Sequence, residues 1–160
     1  MKNQLILGCL FLLFSSVVSA TSYQHEAKAT LNHFHQAAAN ANQEAYFQLM
    51  HDDFIFLGTD GSERWTKQAF EGFVRPYFSK GIGWRYTPTE QNITKVSSEI
   101  LFFDELLSHK KYGQCRGSGV LVKVGASWQL MQYNLSIPVP NGLAGDVVKQ
   151  IKQFNKIQDK

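Results

Sequence analysis

The sequence predicts an α+β domain, a meander of long strands covered by the helices that precede it. Two patterns carry this. Between Gln24 and Met50, and again from Thr66 to Tyr77, apolar residues recur at steps of three and four, whereas between Trp84 and Asn141 β-formers run in long stretches divided by short turn signals. Helices first and strands afterwards, without βαβ alternation, point to one sheet with helices packed on one face.

The chain opens with Lys2, an apolar run from Leu5 to Phe14, and the small-residue ending Val18-Ser19-Ala20. This describes a signal peptide over residues 1–20, leaving a single domain over 21–160. The run is shorter than the roughly 20 residues that span a bilayer. The expectation is therefore export, to the periplasm or outside the cell, with no stable membrane insertion after cleavage. Ile6-Leu7-Gly8-Cys9 resembles a lipoprotein box but sits too early, since a cut there leaves almost no apolar segment. The chain has two cysteines, and only Cys115 survives cleavage, so the exported domain stands on packing without an intrachain disulfide. A net charge of +3, with no arginine-rich cluster, argues against a nucleic-acid partner. Aromatic residues make up 13% of the chain, enough to build a large aromatic core or line a cavity.

Ala27, Leu31, Phe34, Ala38, Ala41, Ala45 and Leu49 form the apolar face of the first helical region. Asn40 and Asn42 interrupt it, predicting two helices with Asn42 capping the second. Phe54–Leu57 reads as a short buried strand stopped by Gly58-Thr59-Asp60-Gly61. Thr66 caps the next helix, and Pro76 marks its last turn or a kink. Strands follow from Trp84 towards Val96 and from Glu99 to Leu107, divided by Ser97-Ser98. The hairpin Gly113–Asn141 turns at Gly125-Ala126 and ends at Pro138 and Pro140. From Gly142, Val147, Val148, Ile151 and Phe154 fall at helical spacing with Lys149, Lys152, Lys156 and Lys160 facing away, a tail helix with a solvated basic face. If the antiparallel sheet curls, its concave face and the helices enclose a cone with an open mouth.

Several stretches resemble the SnoaL-like family of the nuclear transport factor 2-like superfamily. They are Phe56-Leu57-Gly58-Thr59-Asp60 with Glu63-Arg64-Trp65, Gly83-Trp84, Phe103-Asp104-Glu105, Cys115 to Leu121, and Trp128 through Gln132-Tyr133-Asn134 to Asn141. The resemblance spans nearly all of residues 21–160. It implies the cone fold, with a curved antiparallel sheet, N-terminal helices and a C-terminal tail helix. Many members pair through the sheet, which a C2 homodimer would fit. The superfamily includes isomerases, cyclases, dehydratases, hydrolases and proteins without an established reaction, so the resemblance implies no single activity.

The candidate ligand-binding residues are Trp84, Arg116, Gln132 and Asn134. Strict alternation places Trp128, Leu130, Gln132, Asn134 and Ser136 on one face, apolar at one end and polar at the other. Arg116 either pairs with Asp104 or Glu105, contacts an anionic ligand, or is exposed. Asp60 and Asp104 are the candidate catalytic carboxylates, as general bases for an isomerase, dehydratase or hydrolase. Asp60 alternatively closes a turn, and Asp104 alternatively serves an ion pair. His33 and His35 read as exposed, His109 as a loop residue without a partner, and Cys115 as a small buried filler. No zinc-binding spacing or phosphate loop is present, so neither metal nor cofactor is expected. The leading expectation is an exported protein that binds a small, partly apolar molecule. A pocket-carboxylate enzyme and a dimerising scaffold with a closed cone are the alternatives.

Overall fold

A computed structural model describes residues 15–158, with side chains from Tyr23 to Ile157. Most of the expected signal segment lies outside the described residues. The order is α1 (Ser15–Ala39), α2 (Gln43–Gln48), β1 (Met50–Leu57), β2 (Arg64–Thr66), α3 (Lys67–Phe78), β3 (Thr87–Lys95), β4 (Ile100–His109), β5 (Gly113–Val124), β6 (Ser127–Ser136), a 3-10 turn (Asn141–Leu143) and α4 (Ala144–Gln158). No described helix is long and apolar enough to cross a membrane.

Helix boundaries fall where the capping residues are. The Asn42 side chain accepts from the Ala45 amide at 3.1 Å, and Thr66 Oγ1 accepts from the Ala69 amide at 3.3 Å. Each satisfies one of the donors that a helix start leaves open. Pro76 is tolerated inside the last turn of α3. Lys67, at the start of α3, donates to the Met50 carbonyl at 2.9 Å and to Asp52 at 3.0 Å, tying that helix to β1.

The six strands form one sheet in the order β2-β1-β6-β5-β4-β3. β3 to β6 make the expected antiparallel meander, and Gly125 supplies the positive φ of the β5–β6 turn. The sheet is mixed, because β1 lies parallel to β6, with Phe56 beside Tyr133. The short strand β2 then closes onto β1 from outside.

The core lies between the helices and one face of this sheet. Leu31 and Phe34 of α1, Tyr46 of α2 and Phe70 and Val74 of α3 meet Phe54, Leu101, Leu121 and Leu130 there. Large aromatics dominate, each worth about 1.5–3 kcal/mol when fully buried. α4 does not join this core: Val148, Ile151, Phe154 and Ile157 are exposed.

One irregularity changes the reading of β6. Leu121 pairs with Leu130 while its neighbour Val120 pairs with Gln132, so Met131 is an extra residue in the strand. The bulge shifts the alternation by one. Trp128 and Leu130 are buried, and beyond the bulge it is Tyr133, with the partly buried Leu135, that faces the core. The single face assumed for Trp128 through Ser136 is therefore split at Met131.

Candidate functional site

Two polar features stand out on the helix-facing side, one sealed and one open. The sealed one is built around Glu105. Along β4 the residues Leu101, Phe103, Glu105 and Leu107 all face inward and all are buried, so a carboxylate sits in an apolar row. Such a group is tolerated only when donors surround it. Oε1 of Glu105 accepts from His35 Nε2 at 2.7 Å and from the Tyr133 hydroxyl at 2.8 Å, while Oε2 accepts from Gln91 Nε2 at 3.0 Å. Burial, and then the neighbouring carboxylate, raise the Tyr133 phenol well above its ordinary pKa, which keeps it a donor. His35, expected to be exposed, belongs to this cluster because Phe34, Ala37 and Ala38 bury the same part of α1. Gly117 leaves the space: a Cβ there would overlap the Tyr133 hydroxyl and lie 2.7 Å from Glu105 Oε1. The cluster joins helix, sheet edge and sheet centre, and none of its members lines the open cavity described next.

The open feature is a cavity of about 360 Å³ at the end of the sheet where β4 and β6 finish. Its walls are stacks of rings. On one side Phe56 lies over Phe70 at 4.1 Å and 9°, and Trp65 over Phe73 at 4.8 Å and 19°. Trp65 and Phe70 continue the same orientation at 5.7 Å and 21°. A second stack runs Tyr86–His109–Tyr112, with centroids 4.5 and 4.8 Å apart and planes within 24°. Trp84 also lines the cavity. Its backbone N–H donates to the Ala38 carbonyl at 3.2 Å, and Gly83 permits this approach because a Cβ there would meet the backbone of Ala38 and Ala39.

The charged lining groups are Glu63 and Lys111. Glu63 is held by the β1–β2 loop: its carbonyl accepts from Gly58 N at 2.9 Å and its Oε2 from Asp60 N at 3.1 Å. A Cβ at Gly58 would lie 2.9 Å from Glu63 Cδ, so glycine makes room for the carboxylate. Burial pushes the Tyr86 phenol up to about 12, with smaller contributions from Cys115, Tyr112 and Glu63.

The sequence-derived candidates divide between the two sides of the sheet. Trp84 lines the cavity. Asp60 is exposed in the loop, where its Oδ1 accepts from the Ser62 hydroxyl at 2.6 Å and the Ser62 amide at 2.9 Å. Those bonds, the hydroxyl first, hold its carboxyl below the usual range. Asp104 lies on the outer face, exposed, accepting from Asn92 at 3.1 Å. Arg116 is exposed on that same face, and no ion pair to it occurs among the described residues. Asn134 pairs with Ser118 and Gln132 with Val120, which puts them on the outer face as well. The structure thus brings neither aspartate, nor Arg116, Gln132 or Asn134, into the cavity lining. Cys115 is buried, and burial raises its thiol pKa. Among the described residues no group of three or more His, Cys, Asp or Glu side chains is placed to hold a metal ion.

The residues that sequence reasoning passed over are Glu105, Glu63 and His109. A phase argument reaches two of them, since Leu101, Phe103, Glu105, Leu107 and His109 follow one another at steps of two. Ending the strand at Leu107 hid His109.

No match was found among functionally curated proteins. Solved structures similar to this chain include a nuclear transport factor 2-like protein of unknown function from Pseudomonas putida. It is 12% identical, with a TM-score of 0.64 over 76% of this chain and 90% of that one. A nuclear transport factor 2-like protein with a cystatin-like fold from Novosphingobium aromaticivorans is 10% identical, with a TM-score of 0.63 over 86% and 96%. A candidate scytalone dehydratase from the same organism is 12% identical, with a TM-score of 0.62 over 77% and 89%. At these identities the likeness is one of fold. Residues 27–140 match the family described as the SnoaL-like domain. The chain belongs to the SnoaL-like family, and its fold is like that of nuclear transport factor 2-like proteins.

Proposed function

We propose that this is an exported binding protein for a flat, largely apolar small molecule, held in the ring-lined cavity. The observation that carries the reading is the pair of ring stacks in one open cavity, Phe56–Phe70 with Trp65–Phe73, and Tyr86–His109–Tyr112. Parallel rings offer faces to a planar guest, and offset stacking favours such a guest over a globular one of equal size. The volume of about 360 Å³ falls in the range of small-molecule sites. An open cavity also favours binding over the closed-cone scaffold. Export rests on the pattern of Lys2, the Leu5–Phe14 run and Val18-Ser19-Ala20.

Equilibrium dialysis of residues 21–160 against fluorene, a planar tricyclic hydrocarbon, and bicyclohexyl, a non-planar one, tests the binding. Saturable binding of fluorene, weakened about tenfold by Trp65→Ala, is expected from the loss of one stacked contact and its buried area. No saturable fluorene binding, or equal retention of both probes, refutes the reading.

A further inference from the structure

The polar edge of the cavity has one ring whose hydrogen-bonding direction is fixed. Nδ1 of His109 accepts from the Lys111 amide at 3.3 Å and from the Tyr112 amide at 3.1 Å. These bonds belong to the β4–β5 turn, which Gly113 completes with a positive φ. An imidazole nitrogen that accepts carries no proton, so the ring's proton lies on Nε2. Among the described residues nothing accepts from Nε2, and no buried polar side-chain atom lacks a partner, so this N–H is accessible on a ring that lines the cavity. The flanking stacks with Tyr86 and Tyr112 stop the ring from turning. Tyr86 lines the same cavity, and its hydroxyl has no hydrogen-bond partner among the described residues. Its raised pKa keeps it a donor at neutral pH. One carboxylate, Glu63, and one ammonium, Lys111, leave the lining without net charge.

We infer that His109 Nε2–H, assisted by the Tyr86 hydroxyl, is the specificity-determining donor of this cavity and selects neutral planar ligands that carry an accepting oxygen on the ring system. The inference rests on the binding reading above and adds orientation to it: stacked faces accept any flat guest, and the donor edge decides which way round it sits. With one carboxylate and one ammonium, the lining offers no net positive charge to favour an ionised oxygen. A turn-forming histidine with a purely structural role requires only its Nδ1.

The test separates these roles by comparing 9-fluorenone with fluorene, which differ by one carbonyl oxygen, in equilibrium dialysis. In His109→Asn the side-chain oxygen can still accept from the turn amides, so the turn is retained while the Nε2 donor is lost. The expected result is a five- to tenfold weaker Kd for fluorenone, roughly the worth of one hydrogen bond in a shielded site, with fluorene changed less than twofold. Tyr86→Phe is expected to weaken fluorenone about two- to threefold. Equal changes for the two probes in His109→Asn, or none for fluorenone, overturn the inference while leaving the binding reading intact. Failure of the wild-type domain to bind fluorene removes both. If His109→Asn does not fold, His109→Ser serves in the same comparison, since its short hydroxyl can accept from the turn amides without reaching the Nε2 position, judged by the same ratio of the two constants.

Discussion

Replacing Gly117 by alanine adds a single methyl group, and the structure says where it goes. The new Cβ would overlap the Tyr133 hydroxyl, lie 2.7 Å from Glu105 Oε1 and 2.9 Å from Glu105 Cγ. Both oxygens are the two ends of a buried 2.8 Å hydrogen bond, so neither can move without loosening it. Overpacking a close-fitted interior costs about 1–3 kcal/mol. A hydrogen bond to a charged group is worth roughly 1.5–3 kcal/mol. The two penalties overlap, and we expect Gly117→Ala to destabilise the domain by about 2–4 kcal/mol. Because the hydroxyl is the atom struck first, Tyr133→Phe should absorb part of that cost. The double variant should lose at least about 1 kcal/mol less than the sum of the single losses. Urea unfolding at constant m-value measures all three. Strictly additive losses, or a Gly117→Ala domain as stable as the wild type, would show that the hydroxyl does not occupy this space.

Two further outcomes follow from the same cluster and from the cavity. His35→Ala removes one of three donors to a fully buried carboxylate, while Tyr133 and Gln91 still donate, and unfolding midpoints should report a loss of about 1.5–3 kcal/mol, the worth of one hydrogen bond to a charged group. His35→Gln, which can restore an N–H, should recover part of it, and a loss below about 1 kcal/mol in His35→Ala counts against a buried pair. The second outcome concerns alkali. The folded pKa of Tyr86, about 12, lies above that of a free phenol near 10. Its contribution to stability is therefore complete below about pH 10 and is lost as pH rises through about 12. In phenolate absorbance, the wild type minus Tyr86→Phe difference should rise near pH 12, and a difference centred near pH 10 refutes the shielding.

Much of the fold was legible because it is written in local chemistry. Asn42, Thr66 and the Gly125 turn each act within a few residues, so their roles follow from spacing. The cavity was less legible for a definite reason. Strand alternation assigns faces only while the ladder is regular, and one extra residue at Met131 reverses the assignment for everything after it. Gln132 and Asn134 therefore face outward, while Tyr133, on the face opposite Trp128 by simple counting, turns inward. Glu105 was reached only as a partner for Arg116, and its phase with Leu101, Phe103 and Leu107 is what reveals its burial on the other face. His35 likewise falls between apolar helix positions, and its burial follows from a partner 70 residues away. No local rule supplies such a partner.

The parallel pairing of β1 with β6 has a consequence for how the chain reaches this state. Each hairpin of the meander joins neighbours in sequence and can close over a short loop. The strand that completes the sheet cannot, since Phe56 and its partner Tyr133 lie far apart in the sequence. The same holds for His35 with Glu105, and for Trp128 Nε1 with Glu26, 102 residues apart. Loop-closure entropy therefore falls on the joints between the helical first part and the meander. The ring-lined cavity lies across that seam, with Phe56, Trp65 and Phe70 from one part and Tyr86, His109 and Leu135 from the other. Its walls come from two parts of the chain held together only by long-range contacts, so the binding surface exists only where both are packed against each other.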